Sequence, residues 1–177
     1  MVGVAVSSAK VLPFKTVTPS EAGFVPYQGC APLVGLQVAA GAWSKEQDGL
    51  LELAEHAEDW VVLDNGKSKP GMFVAQVLGR SMEPLVPDGS YCLFRPVPAG
   101  SRQGRKLLIW HAGVADTETG GEYTLKVYSS EKTASDDGEW QHERITLKPL
   151  NPEYQPLVLE PEEEGMVIAV AEFLKML

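Results

Sequence analysis

Two side chains carry the chemistry that stands out along the chain. Ser81 lies in "LGRSMEPLVPDGSYCLF" (residues 78–94), a tight polar turn between two runs of strand-forming residues, and Lys126 lies in "EYTLKVYS" (122–129). A serine hydroxyl is a weak nucleophile at neutral pH unless a neighbouring base takes its proton and donors stabilise the oxyanion that forms. The Gly79-Arg80-Ser81 turn offers consecutive backbone N–H groups for the second role, although most turns of this composition are only turns. Of the candidate bases, His56 falls on an expected helix, His111 at a strand end and His142 in a polar stretch, none with a recognisable partner. Lys126 differs because Leu125 and Val127 flank it in an apolar strand. Burial favours the neutral amine, which can act as a general base, whereas an exposed lysine stays protonated. An edge lysine whose stem lies on apolar surface would give the same local pattern.

The elements that must position this pair are mostly strands. From Trp60 onward the chain reads "WVVL", "MFVAQVLG", "SYCLFRPV", "RKLLIWH", "EYTLKVYS", "ERITLKPL" and "GMVIAVAEF", short β-branched or aromatic runs separated by Gly, Pro, Asp and Ser. The pattern predicts a mainly β domain of coiled, partly closed sheets over 60–177. "GVADTETGGE" (113–122) and "SEKTASDDGEWQ" (130–141) read as polar hairpin loops, and "EPEEEG" (160–165) as a solvated acidic connection rather than a metal site. Residues 1–35 show no sustained periodicity and read as an extended N-terminal arm. In 36–59, Ser44 and Gln47 have capping-box spacing ahead of Leu50, Leu53, Ala54 and Ala57, so a short helix is expected there, weakened by Gly49.

Composition narrows the function classes. With 177 residues, 44% hydrophobic, the chain can bury a core without crosslinks. A formal net charge of −9 with no block of cations disfavours direct nucleic-acid binding. Cys30 and Cys92 lie far apart with no metal-ligand spacing, so no metal or disulfide framework is expected and a reducing cytoplasm is the simplest location. No stretch approaches the roughly 20 apolar residues of a membrane span, so a soluble protein without a membrane partner is expected.

Together, "GRSMEPLVPDGSYCLF", the later "YTLKVY" and the "LKPLNPEYQPLVL" beyond it resemble the LexA and UmuD family of self-cleaving serine-lysine peptidases (S24-type). The resemblance spans roughly residues 32–177 and implies the fold of the LexA C-terminal domain. It implies Ser81 as nucleophile, Lys126 as general base and the backbone N–H groups of Arg80 and Ser81 as oxyanion donors, with no cofactor. "PLVGLQVAAGAW" (32–43) resembles the family's cleavage segment, which places the scissile bond at Ala40-Gly41, with Leu36 and Val38 as apolar anchors of the substrate strand. The short arm cannot hold a helix-turn-helix domain, which matches UmuD-like architecture better than a LexA repressor. Val127 departs from the basic residue the family often carries after its lysine.

The resemblance further implies a stress-response (SOS, DNA-damage) switch that cuts itself, forms a homodimer and meets a RecA-type filament as co-protease. The alternatives are a non-cleaving binding module of the same fold that docks a polymerase or helicase, and a peptidase acting in trans.

Overall fold

The computed structural model describes residues 11–36, 54–111, 123–134, 140–159 and 167–177. Ala40, Gly41, Val38, the 113–122 loop and the acidic 160–165 connection lie outside the described residues, as does most of the expected 44–57 helix. The described end of that helix closes with the Ala57 N–H on the Ala54 carbonyl at 3.4 Å.

The described residues contain ten strands: β1 (Thr16–Val17), β2 (Cys30–Val34), β3 (Trp60–Val62), β4 (Phe73–Gln76), β5 (Tyr91–Pro96), β6 (Lys106–His111), β7 (Tyr123–Ala134), β8 (Trp140–Lys148), β9 (Leu157–Leu159) and β10 (Val167–Met176). They form one open sheet in the order β1-β3-β2-β4-β5-β10-β6-β7-β8-β9. The expected mainly β fold is what the chain adopts. Every pairing is antiparallel except β2 with β4, which run parallel with Leu33 opposite Val74 and Val34 opposite Ala75. β10 lies between β5 and β6, and its register slips between Ala169 and Ala171 on one side and between Phe173 and Lys175 on the other. Such irregularities bend a strand and increase its twist.

Apolar residues on the two sides of this bent sheet gather into separate clusters. One joins Phe73, Phe94, Leu108, Leu125, Met82 and Val86, with Phe73 and Phe94 stacked at 5.2 Å between centroids. A second gathers Val61, Leu63, Met72, Val74 and Leu93, and a third Leu107, Ile109, Tyr128, Ile145 and Leu147. Glu172 on β10 ties the middle of the sheet together, accepting from Arg95 Nη2 at 2.7 Å on β5 and from Arg105 Nη1 at 3.0 Å just before β6.

Two segments differ from the sequence reading. Cys30–Val34 is a strand, although no alternation announces it, because its residues are buried on both faces (only Leu33 is half-buried). The described residues of the polar segment 130–141, namely 130–134 and 140–141, are strand: β7 and β8 pair from Val127 opposite Lys148 out to Ala134 opposite Trp140. Ladder hydrogen bonds need only backbone, so polar side chains conceal this extension. The Gln103 side chain reinforces it, accepting from the Ser130 N–H at 2.8 Å and donating to Ser129 Oγ at 3.0 Å. No described helix is long and apolar enough to cross a membrane.

Candidate active site

The turn that carries Ser81 is built by its neighbours. Gly79 has φ 95°, a region an L side chain enters only with strain. Its N–H donates to Asp88 Oδ1 at 2.7 Å, so the Pro-Asp-Gly turn downstream caps the turn upstream. The strand ends on either side are clasped by Val77 N–H to Ser90 carbonyl at 2.8 Å and Gly89 N–H to Val77 carbonyl at 2.9 Å. Met82, 1% exposed, plunges into the core beside Val86, whose N–H closes a turn onto the Met82 carbonyl at 3.0 Å. Ser81 is thereby held half-buried at the edge of a packed anchor.

Lys126 reaches the same place from the sheet. On β7 its position opposite Leu107 buries it to 8% exposure. Its Nζ lies 2.7 Å from Ser81 Oγ, across 45 residues of sequence. The same Nζ donates to Thr124 Oγ1 at 2.6 Å. Positions two apart on a strand share a face, so Thr124 and Lys126 meet as a consequence of the β7 pleat. The Ser81 hydroxyl therefore has an amine at hydrogen-bond distance, the geometry required of a nucleophile and its base.

A second loop grips the backbone of the nucleophile turn. The Leu150 and Asn151 N–H groups both donate to the Ser81 carbonyl at 3.0 Å, and Asn151 Nδ2 donates to the Arg80 carbonyl at 3.0 Å. Asn151 is itself buried, its Oδ1 accepting from the Glu153 N–H at 3.0 Å and its carbonyl from the Tyr154 N–H at 3.1 Å. The Arg80 side chain turns outward to Glu83 at 3.2 Å.

Ser81 and Lys126 are thus brought together, with Arg80 beside them in the turn. Leu36 packs against the core cluster that holds Met82. Because β2 and β4 are parallel, the chain leaving β2 toward Leu36 and the chain leaving β4 toward Ser81 emerge at the same end of the sheet. Val38, Ala40 and Gly41 lie beyond the described residues. His111 is buried at the end of β6, and the base at hydrogen-bond distance from the hydroxyl is the amine. The two thiols are poor nucleophiles, for burial pushes Cys92 up to about 12 and raises Cys30 as well.

Sequence reading passes over Thr124 and Asn151. The first has a signal in its place two residues before a strand lysine, which puts a hydroxyl on the amine's own face. The second sits in an Asn-Pro dipeptide that signals a turn but not what the turn holds.

No curated protein matches the chain. The family model described as Peptidase S24-like matches residues 32–172, a span that begins in β2, includes Ser81, Lys126, Thr124 and Asn151, and ends in β10. The match covers most of the chain, and the protein belongs to the Peptidase S24-like family, the S24-type family of LexA-like and UmuD-like peptidases.

Proposed function

We propose that the protein is a self-cleaving serine peptidase that cuts its own Ala40-Gly41 bond and serves as a cytoplasmic stress-response switch. The observation that carries this reading is the 2.7 Å approach of Lys126 Nζ to Ser81 Oγ at a buried position. With the amine neutral, Lys126 takes the hydroxyl proton as Ser81 Oγ attacks the Ala40 carbonyl carbon. The N–H groups of Arg80 and Ser81 stabilise the oxyanion. Collapse of the tetrahedral intermediate breaks the Ala40-Gly41 bond, and Lys126 passes the proton to the departing Gly41 amine. Lys126 then takes a proton from water, whose oxygen attacks the acyl carbon and releases the Ala40 carboxylate and the serine.

The parallel exit of β2 and β4 favours cleavage within one chain. Ala40 is four positions beyond Leu36, and extended chain covers about 3.3–3.6 Å per residue, so Ala40 lies within about 14 Å of the backbone of a residue packed on the Met82 cluster. Joining nucleophile and substrate in one chain raises their effective concentration. Control then rests on whether the segment is docked, and a partner that favours the docked state accelerates cleavage without supplying chemistry. The family likeness supports a RecA-type filament in that role and a second copy of the chain as a dimer partner.

The reading is tested by the masses and kinetics of the products. Fragments 1–40 and 41–177 are expected, with a half-time unchanged on about tenfold dilution, as an intramolecular step requires. A half-time that lengthens on dilution indicates cleavage in trans, and a cut elsewhere removes the Ala40-Gly41 assignment.

A further inference from the structure

We infer that Asn151 is a positioning residue for the peptidase reaction, setting the direction of the oxyanion-binding N–H of Ser81; the inference rests on the function proposed above. The peptide unit between Arg80 and Ser81 is planar, with its C=O and N–H pointing opposite ways. Whatever holds the Arg80 carbonyl therefore aims the Ser81 N–H. Two donors hold it: the Glu83 N–H at 3.1 Å from within the turn, and Asn151 Nδ2 at 3.0 Å, from a residue 71 positions away in sequence and 7% exposed. The following peptide unit is fixed by the same loop, since the Leu150 and Asn151 N–H groups converge on the Ser81 carbonyl at 3.0 Å each. Two successive peptide planes around the nucleophile thus each receive hydrogen bonds from one loop.

The carboxamide is suited to this task in a way other side chains are not. Its Oδ1 accepts from the Glu153 N–H at 3.0 Å, which fixes the amide plane and directs Nδ2 at the Arg80 carbonyl. An aspartate of the same shape keeps the acceptor for Glu153 but replaces the donor with an oxygen facing a carbonyl oxygen. That exchange separates support of the loop from orientation of the Arg80-Ser81 peptide. Oxyanion stabilisation depends on donors aimed where charge develops, and a deflected donor loses much of its effect. The Lys126 amine is held at Ser81 Oγ and Thr124 Oγ1, and a carboxylate at position 151 adds a charge near it that favours the ammonium, so the effect on the base is read from an exchange that adds no charge.

The test uses the full chain, with Asn151→Asp and Asn151→Ala, incubated from about pH 7 to about pH 10.5, the range in which a lysine base loses its proton. Cleavage is followed by intact mass well below each variant's melting temperature. The alanine variant introduces no charge and keeps the test available if the aspartate variant does not fold. Each variant is expected to reach a plateau rate about 10-fold to 100-fold lower, with the pH of half-maximal rate unchanged in Asn151→Ala. Wild-type rates in folded variants with lowered melting temperatures would reduce Asn151 to loop support and overturn the inference. A displaced half-maximal pH with an unchanged plateau would overturn it too, by placing the effect on Lys126. Should the wild-type chain not cleave, the proposed function fails and takes this inference with it; a cleaving wild type with equally fast variants defeats the inference alone.

Discussion

The Lys126 amine donates a 2.6 Å hydrogen bond to Thr124 Oγ1, two positions earlier on the same strand, while lying 2.7 Å from Ser81 Oγ. A neutral amine has one lone pair, and an N–H engaged by Thr124 helps turn that lone pair toward the serine. Thr124→Val, similar in volume but without the acceptor, is expected to slow self-cleavage by about 10-fold to 100-fold, part of what a positioned base contributes. Thr124→Ser restores the acceptor and should recover most of the rate. Equal rates in Thr124→Val and the wild type would show that the hydroxyl does not orient the base.

Cys92 gives the fold an alkaline limit. Its thiol is fully buried on β5, and burial pushes it up to about 12 from an ordinary 9.0. In the unfolded chain the thiol ionises above its ordinary value, while in the native protein it keeps its proton, so the unfolded state binds fewer protons. Stability should therefore fall by about 1.4 kcal/mol per pH unit from this group between about pH 9 and pH 12. Denaturant melts at pH 8 and pH 10.5 should show a smaller alkaline loss for Cys92→Ala than for the wild type. An identical loss in both would assign the alkaline sensitivity to other groups.

Glu172 sets the complementary acid limit. Desolvation is the largest single influence on its carboxyl and opposes ionisation, yet hydrogen bonds and charge from Arg95 and Arg105 together outweigh it and hold the group below its usual 4.5. The native state thus binds the proton less readily than the unfolded chain. The resulting stability is fully present above about pH 4.5 and is lost as pH falls through the lowered native value. Glu172→Gln is expected to cost about 1–2 kcal/mol at pH 7, a figure reduced because the Arg95 partner is 44% exposed. That difference from the wild type should shrink below about pH 4.5; a difference independent of pH would mean that packing, not charge, sets it.

The residues of the candidate dyad are legible because each sits in a local pattern with its own physical signature. Gly79, Met82 and the Pro-Asp-Gly turn mark a strained, anchored corner, and Lys126 interrupts an apolar strand. What joins them is register, which no local pattern encodes: Lys126 faces Leu107 because of how β6 and β7 pair. β2 is hidden in the sequence because a strand buried on both faces loses its period of two. The outer reach of β7 and β8 is hidden because polar residues there resemble a loop. Asn151 reads as part of a turn, and its role emerges only when the turn is seen to close on the Arg80 carbonyl.

The central claim is that Ser81 and Lys126 act as nucleophile and base in one self-cleavage reaction. The most direct measurement compares the wild-type chain with Ser81→Ala and Lys126→Ala, each shown to be folded, at about pH 10, where a larger fraction of lysine is neutral. Intact mass spectra should show fragments 1–40 and 41–177 from the wild type and an uncut chain from both variants. An uncut wild type, or fragments of the same masses and yield from either variant, would contradict the account.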